Sequence, residues 1–319
     1  MTAAMTSPHP EEWHDERRTG VGGSDIAIIA GLSPYGRGVH DLYMEKRGEG
    51  IPFEVNDQME AGWRLEPVVA DWYRDRTGRQ VVKANRLIRH PDYPWAIGHL
   101  DRKVRGDRRL VEIKTTRSRR WGPRDIPPDV ECQVQWYMGI TRYPVCDVVV
   151  LIAGSTLQIT EVPADEAYFR DLLVLAGEFW ARVEQGNPPP IDGSPSAARY
   201  LAGKYPWHRA ESLLAPTPDF DELATLLRDA RAAKATAEAA EGAVTNAIKE
   251  LLGDAEGVQG AGYKVTWKHA SNYPKTDWAA VAAGLRPHAP DQYDALTEAH
   301  TKEIDAGRRF VATFEGDNA

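Results

Sequence analysis

A chain of 319 residues, 42% hydrophobic and 27% charged, has the composition of a soluble globular protein and the length for one large or two ordinary domains. Residues 1 to 10 hold no apolar run and no segment approaches a membrane span, so a cytoplasmic protein without signal peptide or membrane partner is expected. Cys132 and Cys146 are expected as buried free thiols, and the net charge of −8 disfavours a nucleic-acid binder unless cations cluster locally.

Residues 18 to 31 look like a glycine-rich turn leading into a short helix capped by Ser24. Such a turn can hold a phosphate on exposed backbone N–H groups, or can simply turn the chain. Residues 59 to 78 read as a helix with Val69, Trp72 and Tyr73 as its apolar stripe and Gly78 as its stop. Pro67, next to Glu66, predicts a kink or restart. A strand is expected over 80 to 89, then a turn from Pro91 to Pro94.

Residues 97 to 114 read as a β-hairpin turning at Gly106-Asp107, with glycine at the first central position as a type II′ turn prefers. Counting outward, Val104 faces Arg109 and Asp101 faces Glu112. Alternation then places Asp101, Glu112 and Lys114 on one face, and Val111 and Ile113 on the other, near Leu100 and Val104. Two opposed carboxylates repel unless a cation lies between them, and hard oxygen donors without His or Cys favour Mg²⁺, with Mn²⁺ an alternative. A solvated face of mixed charge would give the same Glu-x-Lys pattern. From Asp101 to Asp125 ten Lys/Arg stand against four Asp/Glu, including Arg117, Arg119, Arg120 and Arg124, a basic rim suited to a polyanion.

A helix is expected over 128 to 142, with Val130, Val134, Tyr137 and Met138 facing the core and at least one of Gln133 and Gln135 left for polar contacts. A buried strand at 145 to 153, a strand at 156 to 162 and a helix at 164 to 186 follow, closed by the proline-rich segment after Asn187. Beyond it, Leu223, Leu226, Ala230, Ala233, Ala237, Ala240, Val244, Ala247 and Leu251 alternate three and four residues apart, a heptad seam fit for a helical hairpin or a subunit contact. Strands are expected at 263 to 268 and 309 to 314.

From about Trp13 to Gly193 the chain resembles the YqaJ-type phage recombination nucleases, relatives of lambda exonuclease in the PD-(D/E)XK superfamily. The matching pieces are Arg-Thr-Gly-Val-Gly-Gly-Ser-Asp at 18 to 25, Gly-Trp-Arg-Leu-Glu-Pro at 62 to 67, Gly-His-Leu-Asp at 98 to 101, Glu-Ile-Lys at 112 to 114, and Gln-Val-Gln-Trp-Tyr-Met at 133 to 138. The resemblance implies an α/β (α+β) core, a mixed central sheet flanked by helices, over 1 to 193. A linker at 194 to 218 and a helical and β-hairpin extension at 219 to 319 would follow. It implies one or two metal ions held by Asp101, Glu112, the Ile113 carbonyl and Glu66, with Lys114 and Gln133 beside the attacking water. Arg18 and Ser24 would grip a terminal 5′ phosphate. His99 stands where the lambda enzyme has a serine at that phosphate, and Arg117, Arg119 and Arg120 would contact DNA.

The implied activity is Mg²⁺-dependent 5′-to-3′ digestion of double-stranded DNA, leaving a 3′ single strand for a phage annealing recombinase. The implied assembly is a ring-shaped homo-oligomer of three or four subunits. Two alternatives stay open: an endonuclease of the same superfamily, or an inactive DNA-binding scaffold protein.

Overall fold

The structure, a computed structural model, describes residues 11–50, 56–84, 86–117, 121, 126–210, 212–269 and 277–301. Two compact units, Met1–Tyr205 and Pro206–Ala319, divide the chain. In the first, helices α1 (Glu11–Arg18), α2 (Gly23–Ile29), α3 (Val39–Lys46) and α4 (Asp57–Thr77) precede strands β1 (Val81–Lys83), β2 (Ile88–Arg89), β3 (Ile97–Gly98), β4 (Arg102–Val104) and β5 (Arg109–Thr116). Helix α5 (Pro128–Thr141), strands β6 (Val145–Ile152) and β7 (Thr156–Pro163), and helices α6 (Glu166–Gln185) and α7 (Pro195–Lys204) complete it.

The sheet runs β1-β4-β5-β6-β7 and is antiparallel except for the β5–β6 pair. That parallel pair requires a crossover, which α5 supplies. Helix α5 lies on one face over a core that includes Leu110, Trp136, Met138, Cys146 and Val148. Helix α4 covers the other with Val69, Ala70 and Tyr73 against Val104, Val111, Ile113 and Val149. With both faces covered, β6 is buried almost throughout, as its largely apolar sequence requires. Asp147, 1% exposed, is the exception. It accepts hydrogen bonds from Tyr73 Oη at 2.5 Å, Arg79 Nη1 at 3.0 Å and Arg109 Nη1 at 2.5 Å, and so ties the end of α4 to the sheet.

The hairpin register agrees with the count from the sequence: Arg102 pairs with Val111 and Lys103 with Leu110, around Gly106 at φ 78°. One side chain departs from it. Leu100 belongs to the core under α5 rather than with Val111 and Ile113, because residues 99 to 101 form no strand and alternation does not extend to them. The strand expected over 80 to 89 is two. Strand β4 offers only three residues for β1 to pair with, and the chain then leaves to form a ribbon of β2 with β3. Helix α4 runs through Pro67 without restarting. A proline forfeits one rung of the ladder, and burial of Val69, Ala70 and Tyr73 in the next turns holds the helix. Ser24 does not cap α2: Gly22 occupies that position, and Asp25 accepts the Gly22 N–H at 2.8 Å. Both cysteines are free and buried, and burial raises both thiol pKa values, that of Cys132 to about 11.

In the segment expected as a linker, Ser194 caps α7, accepting from the Ala197 N–H at 3.1 Å. The second unit contains α8 (Pro218–Leu252), the hairpin β8 (Gly257–Gly260) and β9 (Tyr263–Thr266), α9 (Trp278–Leu285) and α10 (Pro290–His300). Leu223, Leu226, Val244 and Leu251 of the heptad seam are exposed, and among this unit's described residues only Leu252 is buried. The strand expected at 309 to 314 lies outside the described residues. No described helix is long and apolar enough to cross a membrane.

Candidate active site

Strand β4 begins at Arg102, so it leaves the N–H of Ile113 without a strand partner on that side, and the Asp101 carboxylate takes its place: Oδ2 accepts from Ile113 N at 2.9 Å. In an extended strand a residue's carbonyl points to the same edge as its own N–H, so the Ile113 carbonyl also faces the gap. Glu112, 3% exposed, comes from the neighbouring position on the α5 face. Burial first, and the Glu112 charge second, push the Asp101 carboxyl well above the usual carboxylate range. Two carboxylates, Glu112 buried and Asp101 half-buried, thus compete for whatever positive charge is near.

Lys114, two residues along β5, supplies some of it, with Nζ 2.8 Å from Glu112 Oε1. Burial disfavours its charge, but Glu112 and Asp101 outweigh burial and raise its pKa, so the ammonium persists at neutral pH. Gln133, one turn into α5, links the set. Its Nε2 donates to Glu112 Oε1 at 2.8 Å and to Tyr137 Oη at 3.2 Å, and its Oε1 accepts from Lys114 Nζ at 2.8 Å. Reversing the amide would set its oxygen against the carboxylate and its nitrogen against the ammonium, so one orientation is fixed. Gln135 is the glutamine that serves the fold, donating to the Pro163 carbonyl and accepting from Asp165 N.

Glu66 reaches the same region from α4. It forms an ion pair with Arg102, and its charge is among those that raise the Asp101 pKa. Its buried Oε1 is the atom that meets the Arg102 guanidinium. Among the described residues no group of three or more His, Cys, Asp or Glu is arranged to hold a metal ion. The donors that do converge are two carboxylates and a strand carbonyl. That set fits Mg²⁺, which keeps several waters and takes only one or two carboxylates.

A second cluster adjoins the first through Tyr137. Its ring packs so close to Gly23 that a Cβ there would lie 2.5 Å from it, so only glycine lets α2 approach α5. Next to Gly23, Ser24 Oγ accepts from Arg17 Nη2 at 3.1 Å, and Arg17 also donates to Asp25 Oδ1 at 2.9 Å. Arg18, singled out from the sequence for Ser24, instead pairs with Asp15 at the surface. Successive helical residues point about 100° apart, so one of the two arginines faces α2, and it is Arg17. His99 joins the same cluster, 3.2 Å from Glu16 Oε2 and beside the Trp13 ring, with its pKa lowered chiefly by burial. Arg117 is exposed just past the end of β5. Arg119 and Arg120 lie outside the described residues.

The sequence signals for Asp101, Glu112 and Lys114 were alternation and register. The sequence does not separate Arg17 from Arg18, because the chain turns between α1 and α2 and helical phase does not carry across that turn. Nothing in the sequence points to Lys46, whose Nζ donates to Asp25 Oδ2 at 2.6 Å in the interior.

A family model described as the YqaJ-like viral recombinase domain matches residues 12–144. The uncharacterized protein YqaJ of Bacillus subtilis (strain 168) is 30% identical over 297 residues, which cover 90% of each chain. Among solved structures, an alkaline exonuclease, LHK-Exo, from Laribacter hongkongensis is 22% identical with a TM-score of 0.47, over 61% of this chain and 97% of its own. A phage related exonuclease from Haemophilus somnus 129PT is 11% identical with a TM-score of 0.41, over 60% of this chain and 100% of its own. With a relative 30% identical and matched over nine-tenths of its length, the chain belongs to the YqaJ-like viral recombinase family.

Proposed function

We propose that the chain is a metal-dependent deoxyribonuclease that digests double-stranded DNA from 5′ ends, leaving a 3′ single strand. The observation that carries this is the hydrogen-bonded set Glu112–Gln133–Lys114 with the Asp101 carboxylate beside it. Asp101, Glu112 and the Ile113 carbonyl would hold a divalent ion, Mg²⁺ or Mn²⁺, with Glu66 available to a second. A cation there supplies charge neutralisation at the phosphate and makes the attacking water more acidic. Gln133 holds Lys114 and Glu112 in fixed relation, and Lys114 sets a positive charge beside the developing negative one. Arg17 and Ser24, with His99 near them, would receive the terminal phosphate. That group carries nearly two charges against one for an internal phosphodiester, and a guanidinium distinguishes them.

From the family resemblance come also a place in recombination by annealing, an annealing protein as partner, and a ring-shaped homo-oligomer of three or four subunits. The deciding experiment digests end-labelled linear duplexes, with and without 5′ phosphate, beside a closed circle. Loss of label from phosphorylated linear ends with the circle intact supports the proposal. Cutting of the circle makes the chain an endonuclease, and no cutting at all makes it a binding protein.

Variants at Lys114 and at the two arginines sharpen the assignment. Lys114→Ala should lower turnover about 10²- to 10³-fold, the scale of removing one preorganised electrostatic group, with DNA affinity changed about threefold or less. Lys114→Gln keeps the length and should be nearly as slow. If affinity fell in step with turnover in steady-state and binding assays, Lys114 would be a phosphate clamp instead. Arg17→Ala should erase most of the rate advantage of 5′-phosphorylated over 5′-hydroxyl ends, whereas Arg18→Ala should leave it. The opposite ranking in the same end-labelled assay would return the phosphate site to Arg18.

A further inference from the structure

At the closed end of the β4–β5 hairpin, Lys103, Arg105 and Arg108 line a cleft of about 360 Å³ with Val82 of β1 and Tyr143 behind α5. Exposed cations are ordinary one at a time, but these three share one concave wall and no carboxylate answers them. All three are exposed, and none forms an ion pair among the described residues. Asp107, the acidic residue of the lining, is turned to Arg109 instead, 3.6 Å from its Nε. Arg108 donates to the Arg142 carbonyl and lies over the Tyr143 ring, its Cζ 5.8 Å from the centroid. A chain whose net charge is −8 thus concentrates positive charge at this one place.

The hairpin register relates the cleft to the candidate site. Lys103 pairs across the hairpin with Leu110, which packs under α5. Glu112, two residues farther along β5, shares that face and accepts from Gln133 of α5, whereas Val111 and Ile113 face α4. Cleft and carboxylates therefore lie on one face of one hairpin, at its two ends. Arg108 stands four residues before Glu112, about 13 Å along an extended strand. At ~3.4 Å per phosphate of each strand, that length spans about four base pairs of duplex DNA.

Cations without carboxylate partners attract a polyanion, and the gain comes from releasing its condensed counterions. Sites for single strands add free aromatic faces on which bases stack. Here the aromatic ring of the lining already carries the Arg108 guanidinium, so the cleft offers charge without a stacking platform. We infer that this cleft is a second DNA site, gripping the phosphodiester backbone of the uncut duplex while its end is processed at Asp101 and Glu112. The inference rests on the exonuclease assignment above and goes beyond it in naming an anchor remote from the chemistry. Such an anchor reads no sequence, because phosphate contacts carry none.

The test measures binding of a 5′-phosphorylated duplex to the full-length chain in EDTA, across about 50 to 200 mM salt. Lys103→Gln with Arg105→Gln should weaken duplex binding about tenfold at ~100 mM salt. The slope of log affinity against log salt should flatten by about 1 to 2, the counterions of one or two phosphates. Lys103→Arg with Arg105→Lys keeps both charges and should keep the wild-type slope. Binding of single-stranded oligothymidine should change much less than binding of duplex. In Mg²⁺ the neutralised variant should raise KM about tenfold, the same counterion release read in turnover, with kcat little changed. The inference is overturned if the neutralised variant binds duplex with wild-type affinity and slope. It is overturned too if oligothymidine binding falls as far as duplex binding, or if poly-glutamate binding falls while duplex binding holds. Duplex binding weakened in the variant, with no digestion of linear DNA by wild type, would uphold the cleft and reject the exonuclease assignment. Digestion by wild type, with the variant's duplex binding unaltered, would do the reverse.

Discussion

Asp101→Asn and Glu112→Gln are each expected to cut nuclease turnover by about 10³-fold or more, at or beyond the upper end of what one preorganised group supplies, while the fold survives. The two variants should part company in stability. Burial and the neighbouring Glu112 hold the folded Asp101 carboxyl well above the pKa it has in the unfolded chain. As pH rises past about 4 the unfolded chain loses that proton while the folded chain resists losing it, so ionisation draws the metal-free protein toward unfolding. Asn keeps an oxygen for the Ile113 N–H and removes the titration. Asp101→Asn should therefore melt higher than wild type at pH 7 in EDTA and no differently at pH 3. Glu112→Gln gives no such gain, because it also breaks the Lys114 ion pair and weakens the hold on Gln133. Thermal melts at the two pH values, beside digestion assays in Mg²⁺ and in Mn²⁺, check each part. Wild-type turnover in either variant would remove the carboxylates from the proposed mechanism.

The parts of this site that were legible in the sequence are those set by local periodicity. The hairpin's single register is enough to bring Asp101, the residue before β4, near Glu112, and a strand's alternation of two puts Lys114 on the Glu112 face. Helical phase likewise placed Val130, Val134, Tyr137 and Met138 in the core. What stayed hidden is set by contacts between distant segments. That Arg17 rather than its neighbour meets Ser24 depends on where α1 lies against α2. That Tyr137 joins the two clusters depends on the absence of a side chain at Gly23. The missing restart at Pro67 has the same origin, since tertiary burial of the following turn overrides a local signal. The short strands β1, β2 and β3 were blurred into longer ones because their ends are fixed by what partners them and not by composition.

The least legible element is expected to have the largest effect on stability. Lys46 and Asp25 are 0% and 1% exposed at their side chains and stand 2.6 Å apart, in a fold where nothing local predicts either inside. Burial alone would raise the Asp25 pKa. Lys46 and Arg17 overcome it and hold the carboxyl far below its ordinary range, so Asp25 is ionised in the folded chain. Lys46 also donates to the Arg17 carbonyl at 2.7 Å, and Asp25 grips the Arg17 guanidinium and the Gly22 N–H, so the pair fixes the end of α1 and the start of α2 together. Removing one partner leaves a buried charge uncompensated, which costs about 3–5 kcal/mol. For a unit of this size that corresponds to a melting temperature lower by roughly 6–20 °C. Asp25→Ala should show that loss, and adding Lys46→Met should recover much of it, because an apolar pair of similar volume is often no less stable than the ion pair it replaces. The pH dependence follows from the depressed carboxyl. Its stabilisation is complete above the unfolded value of about 3.9 and is lost as pH falls below it, since the unfolded chain takes up the proton first. Wild type should therefore lose stability steeply in acid, and the double variant less so. Melting curves from pH 7 down to pH 3 for wild type, Asp25→Ala and the double variant measure all of this, and a double variant no more stable than Asp25→Ala would show that the two side chains are not coupled as a pair.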